Sequence, residues 1–462
     1  MKSIHLQCLV IIISVIKFLQ SEENLIQENV IENELKSYLI NITNAEFKYL
    51  NESFVKSYYD FRRVVDRSPL FNIIKAMPKG ANLHGYLYSL ASYEYIYKLT
   101  WKQDLLGCTN RFGNFLFAYH QRIGYKCELI QNLRKKQYDF DKYLKKILLI
   151  TDEEAKNPTE LMILKKYKVI ESLISEVTTF ENYIFQMLLE QVNDGISYVE
   201  FRTSFAFFNS KTSVYYDPIT VAGIINKVIY KFKFQNPNST FIGAKIVFSP
   251  FGTNLVTNPK RSILIVRAIT KVFPDLIGGI EFFKPVSLRL LAALPKTVEI
   301  YYHRTKRLNP AYFKQKIDHS TSRIALISQR EMLSDLFFAN SFDKNENRVI
   351  EICPTSVYFQ QNKIHFKEFV SKYISDGNRL IICNEYPGLW HTNPLSNDWY
   401  LVLMFMVNDK SDSFNLFEKI ATDSLIYSNL NGEDKMMAVN FLKQQWANFR
   451  NQLYLLLNKT NI

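Results

Sequence analysis

The run AMPKGANLH, from Ala76 to His84, decides the fold: a short, largely apolar segment that ends on a histidine and opens a series. Seven similar runs follow, separated by stretches with helical periodicity. They are ISYVEFRTS (196–204), IGAKIVFS (242–249), DLIGGIEFF (275–283), TVEIYYH (297–303), RIALIS (323–328), VIEICP (349–354) and RLIICNE (379–385). Each is nearly continuously apolar, as a strand covered on both faces must be. Eight such strands alternating with helices predict a (β/α)8 barrel, an α/β fold of TIM type. Working outward, the tail from about 396 to 457 reads as helical, and a long amphipathic helix is expected over roughly 159–192.

Barrels of this kind place reactive groups at the C-terminal ends of their strands. Those ends carry His84, Arg202, His303 and the pair Asn384-Glu385. Two histidines and a carboxylate at strand ends are chemically able to hold a metal ion, although a hydrogen-bonded core histidine explains each one equally simply.

The N-terminal segment points to export. Residues 1–20 carry Lys2 and then a mostly apolar run from Leu6 to Phe18, followed by the polar SEEN; this reads as a cleaved signal peptide. No other stretch approaches membrane-spanning length, so the rest of the chain is not expected to span a bilayer. Asn41, Asn51, Asn238 and Asn458 open N-x-S/T acceptors, expected sites of glycosylation in a secreted chain. Cys108 and Cys127 lie in a polar, turn-rich stretch that suits a disulfide in an oxidising compartment, whereas Cys353 and Cys383 read equally as a bridge or as two buried thiols.

Charge narrows the partners. The net charge is +13, and loss of residues 1–20 with their two lysines leaves +11. That excess suits an anionic surface such as a glycan, or simple solubility. No basic block is interleaved with stacking aromatics, which argues against nucleic acid. From about residue 24 to 66, Leu25, Ile26, Val30, Ile31, Leu35, Leu39, Phe47, Leu50 and Tyr58 recur at helical spacing, so helices precede the first strand.

Several motifs together carry a resemblance. Met77-Pro-Lys-Gly80 with Leu83-His84, Tyr198-Val-Glu200-Phe-Arg202, Gly243 to Ser249, Thr321-Ser-Arg323-Ile324, Glu351-Ile-Cys-Pro354-Thr-Ser356 and Trp446 resemble the adenosine deaminases. The flanking features resemble the secreted branch, the adenosine deaminase-related growth factors. This implies a metal-dependent hydrolase barrel over 76–458 and a dimerising helical region over 21–75. It also implies a disulfide-bearing insertion after strand 1, at about 100–150, and a homodimer.

The resemblance also implies a zinc site, and most of it is altered here. The first H-x-H histidine is His84, but the second position is Tyr86. The H-A-G-E motif reads His303-Arg304-Thr305-Lys306, which keeps the zinc histidine and puts a lysine in place of the proton-donating glutamate. The G-H-G motif reads Ala325-Leu326-Ile327, and D-D-P reads Glu385-Tyr386-Pro387. Lys284 takes the place of a pocket glycine. No intact catalytic set is therefore expected at Lys306, Leu326 and Tyr386, and His84, His303 and Glu385 are left as a vestigial metal set. No cofactor is expected, or zinc if that set still works. Lys306 is expected to stand in for the metal beside Glu385, and Lys284, Arg304 and Lys306 to make the pocket mouth positive.

Losing a general acid alone costs about 10²–10⁴-fold in rate. The expected function is therefore a secreted deaminase-like pseudoenzyme that binds a receptor, a glycan or another ligand. Two alternatives stand beside it: a weakly active zinc adenosine deaminase, and a bulk secretory or venom-type protein with no pocket function. The H-x-E and P-C-x-x-C pattern of the cytidine-type zinc deaminases is absent.

Overall fold

The computed structural model describes residues 31–50, 58–282, 286–295, 297–302, 323–326, 349–358 and 363–460. The eight expected strands all form. In chain order they are β1 (Gly80–Tyr86), β5 (Ile196–Thr203), β8 (Gly243–Phe248), β9 (Ile277–Phe282), β10 (Glu299–Tyr302), β11 (Arg323–Leu326), β12 (Val349–Ile352) and β13 (Leu380–Ile382). All pairings among them are parallel, in the orders β1-β5-β8-β9-β10 and β11-β12-β13. β10 lies against β11, and the ring closes where the Tyr86 amide donates to the Glu385 carbonyl at 3.0 Å.

Local chemistry explains how β1 starts. Helix α3 (Pro69–Ala76) is N-capped by Ser68, whose hydroxyl accepts from the Phe71 amide at 2.9 Å, with proline at its first position. The buried Lys79 ammonium donates to the Ile74 and Met77 carbonyls at 2.8 and 3.1 Å, closing the end of that helix. Gly80 then turns the chain with φ +69°, and a Cβ there would sit 2.3 Å from the Ala421 carbonyl oxygen. Only glycine combines that backbone with so close an approach of the C-terminal helix Ser413–Ile426.

The insertion folds as a small antiparallel sheet of β2 (Leu106–Asn110), β3 (Phe115–Ala118) and β4 (Tyr125–Leu129). Cys108 and Cys127 face each other across β2 and β4 and are bridged. Helices α5 (Ile130–Lys136), α6 (Phe140–Leu148) and α7 (Asp152–Lys156) complete it. The helix expected over 159–192 is two, α8 (Glu160–Leu173) and α9 (Val177–Asn193). The break has a local cause. The Ser175 hydroxyl donates to the Ser172 carbonyl at 2.6 Å, and the Glu176 carboxylate caps the next helix, accepting from the Thr178 and Thr179 amides at 2.9 Å. Cys353 and Cys383 are buried and not joined in a disulfide.

The N-terminal helices, residues 31–50 and α2 (Tyr58–Val65), precede β1 and pack on the later helices of the chain. Leu35 and Leu39 are buried, Phe47 packs on Phe405, and the Tyr400 hydroxyl donates to Glu46 at 3.3 Å. Tyr58 packs edge-on against Trp390 and donates to its carbonyl at 2.7 Å. Among the described residues, Leu35, Leu39, Phe47 and Tyr58 of the apolar stripe thus lie on the chain's own barrel. Residues 1–30, with the expected signal, and Asn51 lie outside the described residues. Asn41, Asn238 and Asn458 are exposed. No helix among the described residues is long and apolar enough to cross a membrane.

Candidate active site

The C-terminal strand ends bring together a buried polar cluster. Residues two apart on a strand share a face, so β1 delivers both His84 and Tyr86 to the barrel interior. β5 adds Arg202, β9 adds Glu281, β12 adds Glu351, and the turn after β13 adds Glu385 and Tyr386; all are buried. The Arg202 guanidinium donates through Nε to Glu281 at 3.2 Å, lies 4.0 Å from Glu351, and donates to the Leu83 carbonyl at 3.1 Å. The Ser249 hydroxyl donates to the second Glu281 oxygen at 2.5 Å.

His84 sits between two carboxylates. Its Nδ1 lies 3.0 Å from Glu351, which favours the proton on that nitrogen and turns Nε2 toward Glu385, 3.7 Å away. Burial, reinforced by the nearby Arg202 charge, lowers the His84 pKa to about 4, so the imidazole is neutral at ordinary pH.

Beside this cluster the barrel mouth is filled with rings. The Tyr86 hydroxyl donates to Glu281 at 3.2 Å, and its ring stacks on Tyr386 at 5.1 Å with a 9° interplanar angle. Phe251 packs on Tyr86 at 5.0 Å and on Tyr167 at 5.6 Å. Burial drives the Tyr86 and Tyr386 hydroxyls well above the usual phenol range, so both stay protonated. The rings bury apolar surface in the barrel mouth.

The fit to zinc can be tested on this geometry. His84 Nε2 and Glu385 Oε1 face one another at a distance that lets both reach one cation. A catalytic zinc needs three protein ligands and an open position. Tyr86 holds its hydroxyl on Glu281, so among the described residues the donors stop at two.

Of the residues singled out in the sequence, the structure brings together His84, Tyr86, Arg202, Glu385 and Tyr386. His303, Arg304, Lys306 and Lys284 lie outside the described residues, and Leu326 is described only as the last backbone position of β11. Glu281, Phe251 and Tyr167 were not foreseen, nor was Glu351 as a site residue. The two glutamates left a signal: a carboxylate inside an apolar strand, as in IEFF and VIEIC, has to be paired in the interior.

The fold is a (β/α)8 barrel of the adenosine deaminase type. Solved structures agree on the fold. An Arabidopsis ADAL protein complexed with GMP superimposes with a TM-score of 0.56 at 15% identity, covering 81% of this chain and 98% of that one. An amidohydrolase from Burkholderia ambifaria with bound zinc superimposes with a TM-score of 0.56 at 11% identity, covering 83% and 94%.

No protein-family model matches the chain. Whole-length relatives do match. Adenosine deaminase of Lutzomyia longipalpis is 24% identical over 423 residues, 85% of this chain and 81% of that protein. Adenosine deaminase of Phlebotomus duboscqi is 24% identical over 460 residues, 91% and 87%. Human adenosine deaminase 2 is 22% identical over 424 residues, 85% and 82%. The chain therefore stands as a divergent relative of adenosine deaminase and adenosine deaminase 2.

Proposed function

We propose that this chain is a secreted deaminase-like protein that works by binding and does not deaminate adenosine. The observation that carries the reading is Tyr86. It occupies the place of the second zinc histidine, ties its hydroxyl to Glu281 and stacks on Tyr386. A phenol so held neither completes a zinc shell nor leaves room for a purine without unstacking two buried rings. Lys306 in place of the proton-donating glutamate supports the same reading from the sequence. Secretion rests on residues 1–20 and on the export-compatible disulfide. A homodimer rests on the resemblance alone, since the described apolar stripe is already covered.

A second reading has an observation of its own. His84 Nε2 and Glu385 are placed to share a cation, and His303 would make a third ligand. Zinc bound there would supply an activated water. Equilibrium dialysis of the purified chain against zinc separates the two. The binding reading expects well under one zinc per chain, and a tight stoichiometric zinc would favour the hydrolase.

A further inference from the structure

We propose that the groove between the disulfide-bearing insertion and α8 is a binding site for a long-chain fatty acid anion. The groove encloses about 830 Å³, within the range of small-molecule sites. Its floor is apolar: Phe115 and Leu116 from β3, Ile147 from α6, and Leu161, Met162 and Leu164 from α8. Leu161 is 62% exposed and the neighbouring Tyr143 is 38% exposed, so the apolar surface lies open to solvent. The groove therefore offers open apolar surface to an apolar ligand.

The charge around the floor selects the partner's head. Lys146, Lys165, Lys166 and Lys168 line the groove, and Glu154 is its one acidic lining residue. Glu154 is already held, 3.1 Å from the Lys166 ammonium and accepting from the Thr151 amide at 2.8 Å. Lys168 pairs with Glu171 at 2.5 Å. Lys146 and Lys165 are exposed and form no ion pair among the described residues. The uncompensated charge of the groove is therefore positive, and it stands at the rim of an apolar trough. Ammonium point charges beside an apolar trough match a ligand with one anionic head and a long apolar tail, as a fatty acid carboxylate has. The disulfide between Cys108 and Cys127 holds the β-sheet wall of the groove in place.

The test uses the full secreted chain and the fluorescent fatty acid cis-parinaric acid. The expected result is saturable binding of one equivalent at about micromolar probe, within the range of ordinary small-ligand affinities. The double variant Lys146→Glu/Lys165→Glu should bind about tenfold more weakly, the loss of a charge-assisted contact at a half-open site. Leu161→Asp should also weaken binding. The double variant Lys260→Glu/Lys271→Glu carries the same charge change on the helix Pro259–Val272, which does not line the groove, and should bind as the parent does. Three outcomes overturn the proposal: no saturable binding, equal binding by the groove double variant, or equal binding of the parinaric methyl ester, which lacks the charge. Tighter binding of a lysophospholipid than of the fatty acid would overturn the choice of a carboxylate head.

Discussion

Replacing Tyr86 by alanine would empty the centre of the barrel mouth, and the cost follows from its contacts. The ring is 1% exposed, stacked on Tyr386 and packed on Phe251. Truncating a buried aromatic side chain to alanine costs about 3–5 kcal/mol through lost transfer energy and the cavity left behind. The hydroxyl adds about 1 kcal/mol, because Glu281 keeps Arg202 and Ser249 when its phenol donor goes. Tyr86→Ala should therefore lose about 5 kcal/mol, and Tyr86→Phe about 1 kcal/mol. Against a typical total of about 5–15 kcal/mol, the alanine change is a large fraction of stability. Urea denaturation followed by tryptophan fluorescence measures both, with the slope checked to be unchanged. If Tyr86→Ala costs less than about 1 kcal/mol, the mouth is not a packed core and the plugged-site reasoning fails.

Three further outcomes follow from the buried charges and the disulfide. Arg202→Met should destabilise by about 3–5 kcal/mol, because it leaves the Glu281 charge buried without its guanidinium; a loss below about 1 kcal/mol in the same denaturation assay would contradict the ion-pair account. His84 is held neutral, with its folded pKa near 4 below the unfolded value of about 6.5. Its contribution is therefore present above pH about 6.5 and is lost as pH falls to about 4, by up to about 3 kcal/mol. Burial raises the Asp398 pKa to about 7, which acts with opposite sign over the same window, so the His84 effect is read as the difference between parent and His84→Gln across that range. A flat difference would refute it. Replacing Cys108 and Cys127 by serine should loosen the insertion by about 3 kcal/mol, read as faster amide exchange over β2 to β4, and unchanged exchange would show the bridge to be dispensable.

Much of the fold was legible because its signals were local. Apolar runs such as ISYVEFRTS became strands of the expected type. The break between α8 and α9 was less visible, because it depends on serine and glutamate side chains competing for backbone groups inside one hydrophobic period. Half of the site was readable from motif positions: His84, Tyr86, Glu385 and Tyr386. The other half was not, because the ring cluster forms across β1, α8 and the loops after β8 and β13. Nothing in the local surroundings of Tyr167 or Phe251 distinguishes them from ordinary core residues. Helical periodicity over 24–66 reports that a face is buried, and not what buries it.

The central claim is that Tyr86 and its neighbours have replaced a catalytic centre with a packed one. Its most direct test is adenosine turnover by the purified full chain in zinc-supplemented buffer, with inosine quantified by chromatography. The account predicts inosine formation no faster than in buffer alone. Multiple turnovers of inosine per chain, abolished by a zinc chelator, would contradict it.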